Sequence, residues 1–406
     1  MAGGKAAAGD RVFVTMSARP EVVYVLPNKL GGVFSYVHQL LAHRRPDGFA
    51  YAAVRTQNAR DRDHNIFEPL PADRDVRFEY SLPPENVHAV LRRLALTIPF
   101  GPGVIVANDW IELALTSIHD TGRAVFAINH GDMDFYYNLA VRHQETIDAF
   151  VTYTEQMARR LRKLLPDREE SIFLLPYGVD IPRTVRQPKP GPLRVLYVGR
   201  LSRDKGVFDL PLIDRRLREL GVNPVWTVQG GGPDEAELRT AWSDRLDVRW
   251  FGQRDKADVL RLYEHHDVLV MPSRQEGLPV TLLEAGAAGV VPVVSDLASG
   301  IPEVVESGVS GYRPAVGQNG EFADAIAALD RDRTRLEAMS GAVRDVVATR
   351  FDATQRTADY QRLFGRWREL KRPRPKNPKL LYGSRLDKPW MPNLAVRLIR
   401  STVSRR

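Results

Sequence analysis

The sequence predicts an α/β chain of two open, parallel-sheet units in tandem, with one cleft between them. Three observations carry that expectation. Short β-branched or apolar runs alternate with helical patterns along the chain, as in successive βαβ units. The chain has 406 residues, more than one hydrophobic core usually organises, and its 43% apolar content can bury two. A proline-rich stretch interrupts the alternation near the middle.

In the first half the strand candidates are 22–26, 51–55, 77–81, 104–107, 124–128, 150–152 and 172–175, with helical stretches between most of them. From Ile181 to Pro192, four prolines and a glycine fall within twelve residues, a composition that sustains neither helix nor strand. The second half restarts at 193–198 and continues through 225–228, 248–251, 268–271 and 292–295; 321–329, 331–349 and 353–371 then read as consecutive helices. The expected division is a first domain over 11–182, a linker over 183–192, a second domain over 193–352, a further helix over 353–371 and a tail over 372–406. Two such sheets bind ligands in the crevice outside their strand C-terminal ends.

Composition narrows the chemistry. There is no cysteine, which excludes disulfides, thiolate metal sites and cysteine nucleophiles and suits a reducing compartment. Residues 1–10 are small and polar, unlike a secretory signal, and no apolar run approaches the roughly 18 residues of a membrane span, so the cytoplasm is the expected location. Net charge is +8, but residues 371–406 hold 11 Lys and Arg against Asp387 alone, so the body is nearly neutral. A neutral body argues against nucleic acid as the main ligand. The basic tail fits an anionic surface such as lipid headgroups, and Leu394, Ala395, Leu398, Ile399 and Val403 can share one helical face there, with Trp390 nearby; packing on the first domain or plain disorder is the other reading.

Two loops carry most of the chemistry. In the segment 198–206, Gly199 allows a tight exit from a strand, while Arg200 and Lys205 project two cations suited to a diphosphate. Taken alone, this is also how an ordinary charged βα turn reads. In the segment 271–285, Gly277 precedes a helix start near Leu278, with Pro279 acceptable in its first turn, so unpaired N–H groups would face the cleft. Glu276 then sits ahead of that helix, and Glu284 lies about 7.5 Å along its axis from Pro279, an offset that suits a nucleotide.

With these residues the chain resembles the retaining glycosyltransferases of family 4, which have the GT-B fold of two Rossmann-like domains. The resemblance runs through nearly all of 20–370 and is strongest over 195–312. Its parts are Gly199, Arg200 and Leu201 with Lys205 and Gly206, the run Gly230-Gly231-Gly232-Pro233, the pair Glu276 and Glu284, and the segment Ser307 to Tyr312. It implies that Arg200 and Lys205 bind a nucleotide-sugar diphosphate, that Glu284 holds the ribose and that Glu276 lies beside the donor sugar. Backbone groups at Gly277, Leu278 and Pro279 are implied to contact sugar and phosphate. Base contacts are expected near Arg254.

In the first half, Leu30-Gly31-Gly32-Val33 resembles the family's glycine-rich loop, in which Gly31 and Gly32 approach donor phosphate and acceptor, and His130 matches a position that contacts the donor sugar. A simple helix-start turn is the competing reading of the glycines. The helix 353–371 is implied to cross back to the first domain. The resemblance needs neither cofactor nor metal. Asp132 and Asp134 form an aspartate pair of a kind that binds metal in other transferases, but similar pairs recur at 61 and 63, 73 and 75, and 330 and 332, which removes its weight. The implied activity is hexosyl transfer with retention to a glycan, glycolipid or other hydroxyl acceptor, in cell-surface polysaccharide or glycoconjugate biosynthesis. A nucleotide-sugar 2-epimerase of the same fold and a non-catalytic nucleotide-sugar binding protein are the alternatives.

Overall fold

The computed structural model describes residues 19–29, 31–64, 68–375, 380 and 383–403. The expectations placed on 1–10 and on Leu30 lie outside these residues, as do the first residues assigned to the first domain and parts of the tail. The first sheet contains β1 (Glu21–Pro27), β2 (Ala50–Asn58), β3 (Arg74–Tyr80), β4 (Gly103–Ala107), β5 (Ala124–Ile128), β6 (Ala149–Thr152) and β7 (Ile172–Leu174). The second contains β8 (Arg194–Val198), β9 (Val225–Gln229), β10 (Arg249–Gly252), β11 (Val268–Met271) and β12 (Val291–Val294). Every run read as a strand is therefore a strand, displaced by one to three residues at some ends. The largest displacements, three residues each, are the end of β2 at Asn58 and the start of β3 at Arg74, where β3 pairs with β2 from Ala52 onward.

The strand orders are β3-β2-β1-β4-β5-β6-β7 and β10-β9-β8-β11-β12, and every pairing is parallel. Helices cover both faces, so β4 and β5 are buried at every residue, as continuous apolar runs require. Each order reverses once, between β1 and β4 and between β8 and β11, and the loops leaving those strands form the site.

The segment 183–192 carries neither helix nor strand. It is nonetheless pinned to the second sheet: buried Arg186 donates to Asp267 at 2.8 Å and pairs with Glu337, while Arg194 donates to the same Asp267. Upstream, Val179 N donates to Phe351 O and Ala353 N to Val179 O, so the exit from the first domain pairs with the return path. The helix Ala353–Gly365 then lies on the first sheet. Tyr360 Oη donates to Leu175 O at 2.6 Å, and the Phe364 ring packs 6.2 Å from Tyr24 and 6.1 Å from Phe126.

Two helix expectations need correction. The stretch 353–371 is two helices, Ala353–Gly365 and Trp367–Leu370, broken at Arg366; glycine at 365 weakens a helix interior by roughly 0.5–1 kcal/mol. The helix expected from Leu278 begins at Val280, with Pro279 as its N-cap at ψ 122°. A residue before proline is disfavoured in the helical region, so the helix starts beyond Leu278.

Candidate functional site

The loop after β8 folds into a one-turn helix, Arg203–Lys205, closed by Gly206 at φ 67°. A Cβ on Gly206 would stand 1.9 Å from the Pro272 carbonyl oxygen, so only glycine lets this loop meet the one after β11. Arg274 ties the two together, donating from its backbone to Asp204 O at 2.9 Å and from its guanidinium to both oxygens of Asp209. That packing aims Lys205 at Glu276, with Nζ donating to Oε1 at 2.8 Å. Gly199 starts the turn, its N–H donating to Gln229 O. Arg200 stays exposed and pairs with Asp204 at 3.1 Å, at the edge of the arrangement rather than on the cavity wall.

Opposite, Gly31 adopts φ 156° and ψ −177°, a conformation essentially reserved for glycine, and caps the helix Gly32–Ala42 without any side-chain acceptor. Side chains added at Gly31 or Gly32 would meet no atom within 4 Å, so the first amides of this helix are open to the cleft. An uncapped helix start presents N–H groups and positive potential to an anion. The two halves approach each other at Gly277, where an added Cβ would lie 3.5 Å from Gly131 Cα, and at Gly300, where it would lie 2.7 Å from Thr154 Cγ2. Between them is a cavity of about 290 Å³, lined among others by Gly32, His130, Glu276, Gly277, Leu278 and Pro279. That is at the lower edge of the usual range for a small-molecule site.

His130 stands on the cavity wall with both nitrogens engaged. Asn108 Nδ2 donates to Val25 O and Val106 O, which leaves Asn108 Oδ1 to accept from His130 Nε2 at 2.8 Å. His130 Nδ1 then accepts the Tyr153 hydroxyl at 2.6 Å. Burial lowers the imidazole pKa to about 3, so it is neutral in this tautomer. Its ring nitrogens are thus engaged by the residues that follow β4 and β6, while the residue itself lines the cavity wall.

A second, much narrower cavity of about 20 Å³ adjoins the first, sharing Gly32, Tyr177 and Val280 and reaching Glu284 and Lys256. Burial pushes the Glu284 carboxyl up to about 7, with Lys256 opposing the shift and Asp180 adding to it. Lys256 Nζ lies 3.8 Å from Glu284 Oε1 and 3.8 Å from Asp180 Oδ2, and Asp180 accepts from His43 Nε2 at 2.7 Å. The cation this region contributes to the cavity is therefore Lys256. Arg254 is exposed, its Nε donating to Phe251 O at 3.1 Å, because the chain turns away at β10 before the helix Lys256–Glu264 returns. The sequence reading also gave no role to Tyr177, whose hydroxyl donates to Leu278 O and locks the domain exit to the loop after β11. Asp132 and Asp134 both pair with Arg160, and Asp132 also accepts from Tyr137 and Gln156; their oxygens are spent on local structure.

The arrangement thus offers Lys205, held on the wall residue Glu276, and an open helix start opposite, with Lys256 beside Glu284 in the adjoining cavity. Residues 182–346 match the family described as Glycosyl transferases group 1. The chain is 27% identical over 310 residues to a glycogen synthase of Mycobacterium tuberculosis, covering 71% of this chain and 75% of that protein. It is 34% identical over 170 residues to the amylovoran biosynthesis glycosyltransferase AmsK of Erwinia amylovora, 40% of this chain and 42% of that one. Among solved structures, Anabaena HepE in complex with UDP superposes with a TM-score of 0.67 at 17% identity, over 85% of this chain and 99% of that one. The second α/β domain of this chain is a group 1 glycosyl transferase domain, set in a GT-B fold.

Proposed function

We propose that the chain is a retaining, metal-independent glycosyltransferase of family 4 that moves a hexose from a nucleoside-diphosphate sugar to a hydroxyl of a glycan, glycolipid or other acceptor. The biosynthesis of a cell-surface polysaccharide or glycoconjugate, on the cytoplasmic side, is its proposed setting. The Lys205–Glu276 pair, facing the open helix start at Gly32, carries this reading. A diphosphate between these walls meets the ammonium from one side and backbone amides from the other, with Arg200 at the edge. It competes with Glu276 for Lys205 and releases that carboxylate to the hydroxyls of the donor sugar. Glu284, deeper along the helix, accepts from the ribose. As the glycosidic bond breaks, the charge gathering on the leaving phosphate is stabilised by groups already in place. The acceptor hydroxyl attacks from the same face, and the departing phosphate takes its proton. The likeness to HepE with UDP makes uridine donors the first to test.

The test combines donor turnover with product stereochemistry. With UDP-, GDP- and ADP-hexoses and an acceptor panel, release of nucleoside diphosphate is expected to need an acceptor, to persist in EDTA and to give an anomer of unchanged configuration by NMR. Inverted product, or undiminished turnover in both Arg200→Ala and Lys205→Ala, would sink the mechanism. Donor conversion without acceptor would make the protein an epimerase.

The raised Glu284 carboxyl gives a signed pH dependence. Below about pH 7 it is protonated and loses acceptor capacity for ribose; above, it ionises. Donor affinity is therefore expected to strengthen by about tenfold from pH 6 to pH 8, the change in carboxylate fraction across that pKa. Glu284→Gln should bind more weakly and with a flat profile, and an equal slope in wild type and variant would remove Glu284 from the ribose.

A further inference from the structure

The tail ends in a helix, Asn393–Val403, whose polarity is reversed relative to its packing. Its inner side is held by polar contacts. Arg400 donates to Glu85 O at 2.5 Å and to Asp387 Oδ2 at 2.6 Å, Asn393 Oδ1 accepts from Asn86 N at 2.8 Å, and Val396 is fully buried. Its outer side carries the leucines: Leu394 is 71% exposed and Leu398, one turn on, 59%. Trp390, four residues before Leu394, is 74% exposed, and Ile399 is exposed too. Arg92 on the neighbouring helix Val87–Thr97 donates to Pro389 O, and Leu96, one turn beyond Arg92, is also exposed. Helices on a water-facing surface put such residues inward.

The charges around this apolar stripe have one sign. Arg385, Lys388, Arg397 and Arg92 are exposed, while the tail's one acid, Asp387, is buried and paired with Arg400. From this juxtaposition we infer that Trp390, Leu394 and Leu398, framed by Arg385, Lys388 and Arg397, form a docking face for an anionic lipid bilayer. The apolar side chains enter the interface and the cations meet headgroup charge. A second copy of the chain fits less well, because a two-fold contact would set the same cations against one another. Among the described residues no helix is long and apolar enough to cross a membrane, so this face lies on the bilayer rather than through it. The inference corrects the expected alternative between membrane contact and packing on the first domain: the helix packs through Asn393, Val396 and Arg400 and leaves its opposite side for the bilayer.

Flotation of the full chain with vesicles tests this. Vesicles of phosphatidylcholine containing phosphatidylglycerol are expected to bind the protein in a salt-sensitive way, and pure phosphatidylcholine far less. Leu394→Glu with Leu398→Glu should lower binding at least about tenfold, and Lys388→Glu with Arg397→Glu should lower it several-fold. Both variants should melt like wild type and turn over a soluble acceptor equally, since the altered side chains are exposed and remote from the cleft. Three results would overturn the inference: no binding to anionic vesicles, equal binding to both vesicle types, or full binding by the double leucine variant. A dimer seen by light scattering and lost in the leucine variant, without vesicle binding, would assign the face to a second copy instead.

Discussion

Lys205→Ala is expected to lower kcat by about 10²–10³ and to raise the donor KM as well, because the ammonium meets the diphosphate of the bound donor and holds it more strongly as it departs. The ammonium sits at the end of a short, tightly tied loop, 2.8 Å from Glu276, so little reorganisation separates this position from a phosphate oxygen. Removing it has two consequences. The leaving group loses a preorganised cation, and Glu276 is left as a half-buried carboxylate without its partner, which repels the diphosphate. Lys205→Arg should recover part of the rate, whereas Arg200→Ala should cost less than Lys205→Ala because Arg200 is exposed and already shared with Asp204. Steady-state rates with a saturating acceptor check the order. Equal losses for the two alanine variants would mean that Arg200 moves inward on binding and carries as much of the charge as Lys205.

Gly206→Ala is expected to destabilise the protein by about 3 kcal/mol or more. The left-handed conformation alone costs a side-chain-bearing residue roughly 1–2 kcal/mol. Here the new Cβ also meets Pro272 O at 1.9 Å and Pro272 C at 2.7 Å, backbone atoms that cannot rotate away. Relief requires the loops after β8 and β11 to part, which separates Lys205 from Glu276, so activity should fall with stability. Gly221→Ala is the control, since Gly221 has φ 73° with nothing within 4 Å of an added Cβ and should lose only the conformational part. Thermal melting should place Gly206→Ala several degrees below Gly221→Ala, at roughly 2–4 °C per kcal/mol for domains of this size. Coincident melting curves would show that the contact with Pro272 yields without cost.

The sheets were legible because parallel strands buried on both faces are short, apolar and bounded by helical patterns, and nothing in this chain imitates them. The donor-side loops were legible because glycines and charges sit at fixed offsets from strand ends. What escaped depends on partners distant in sequence. Arg254 and Lys256 are two residues apart, and only the turn between β10 and the following helix decides that Lys256 faces Glu284. His130 looked available because its partners, Asn108 and Tyr153, follow the ends of other strands. The tail pattern was visible as amphipathic, but which side docks was fixed by Asn86, Glu85 and Pro83, some 300 residues upstream.

The claim at the centre of this account is that a nucleoside-diphosphate sugar sits between Lys205 and the helix start at Gly32. Thermal stabilisation by a panel of nucleotide sugars, measured on wild type and Lys205→Ala, tests it most directly. At about a hundredfold excess over Kd, a true donor should stabilise the native state by about 2.7 kcal/mol, visible as a rise in Tm that shrinks in the variant. A wild-type protein whose Tm no nucleotide sugar raises, or a rise that survives Lys205→Ala undiminished, would contradict it.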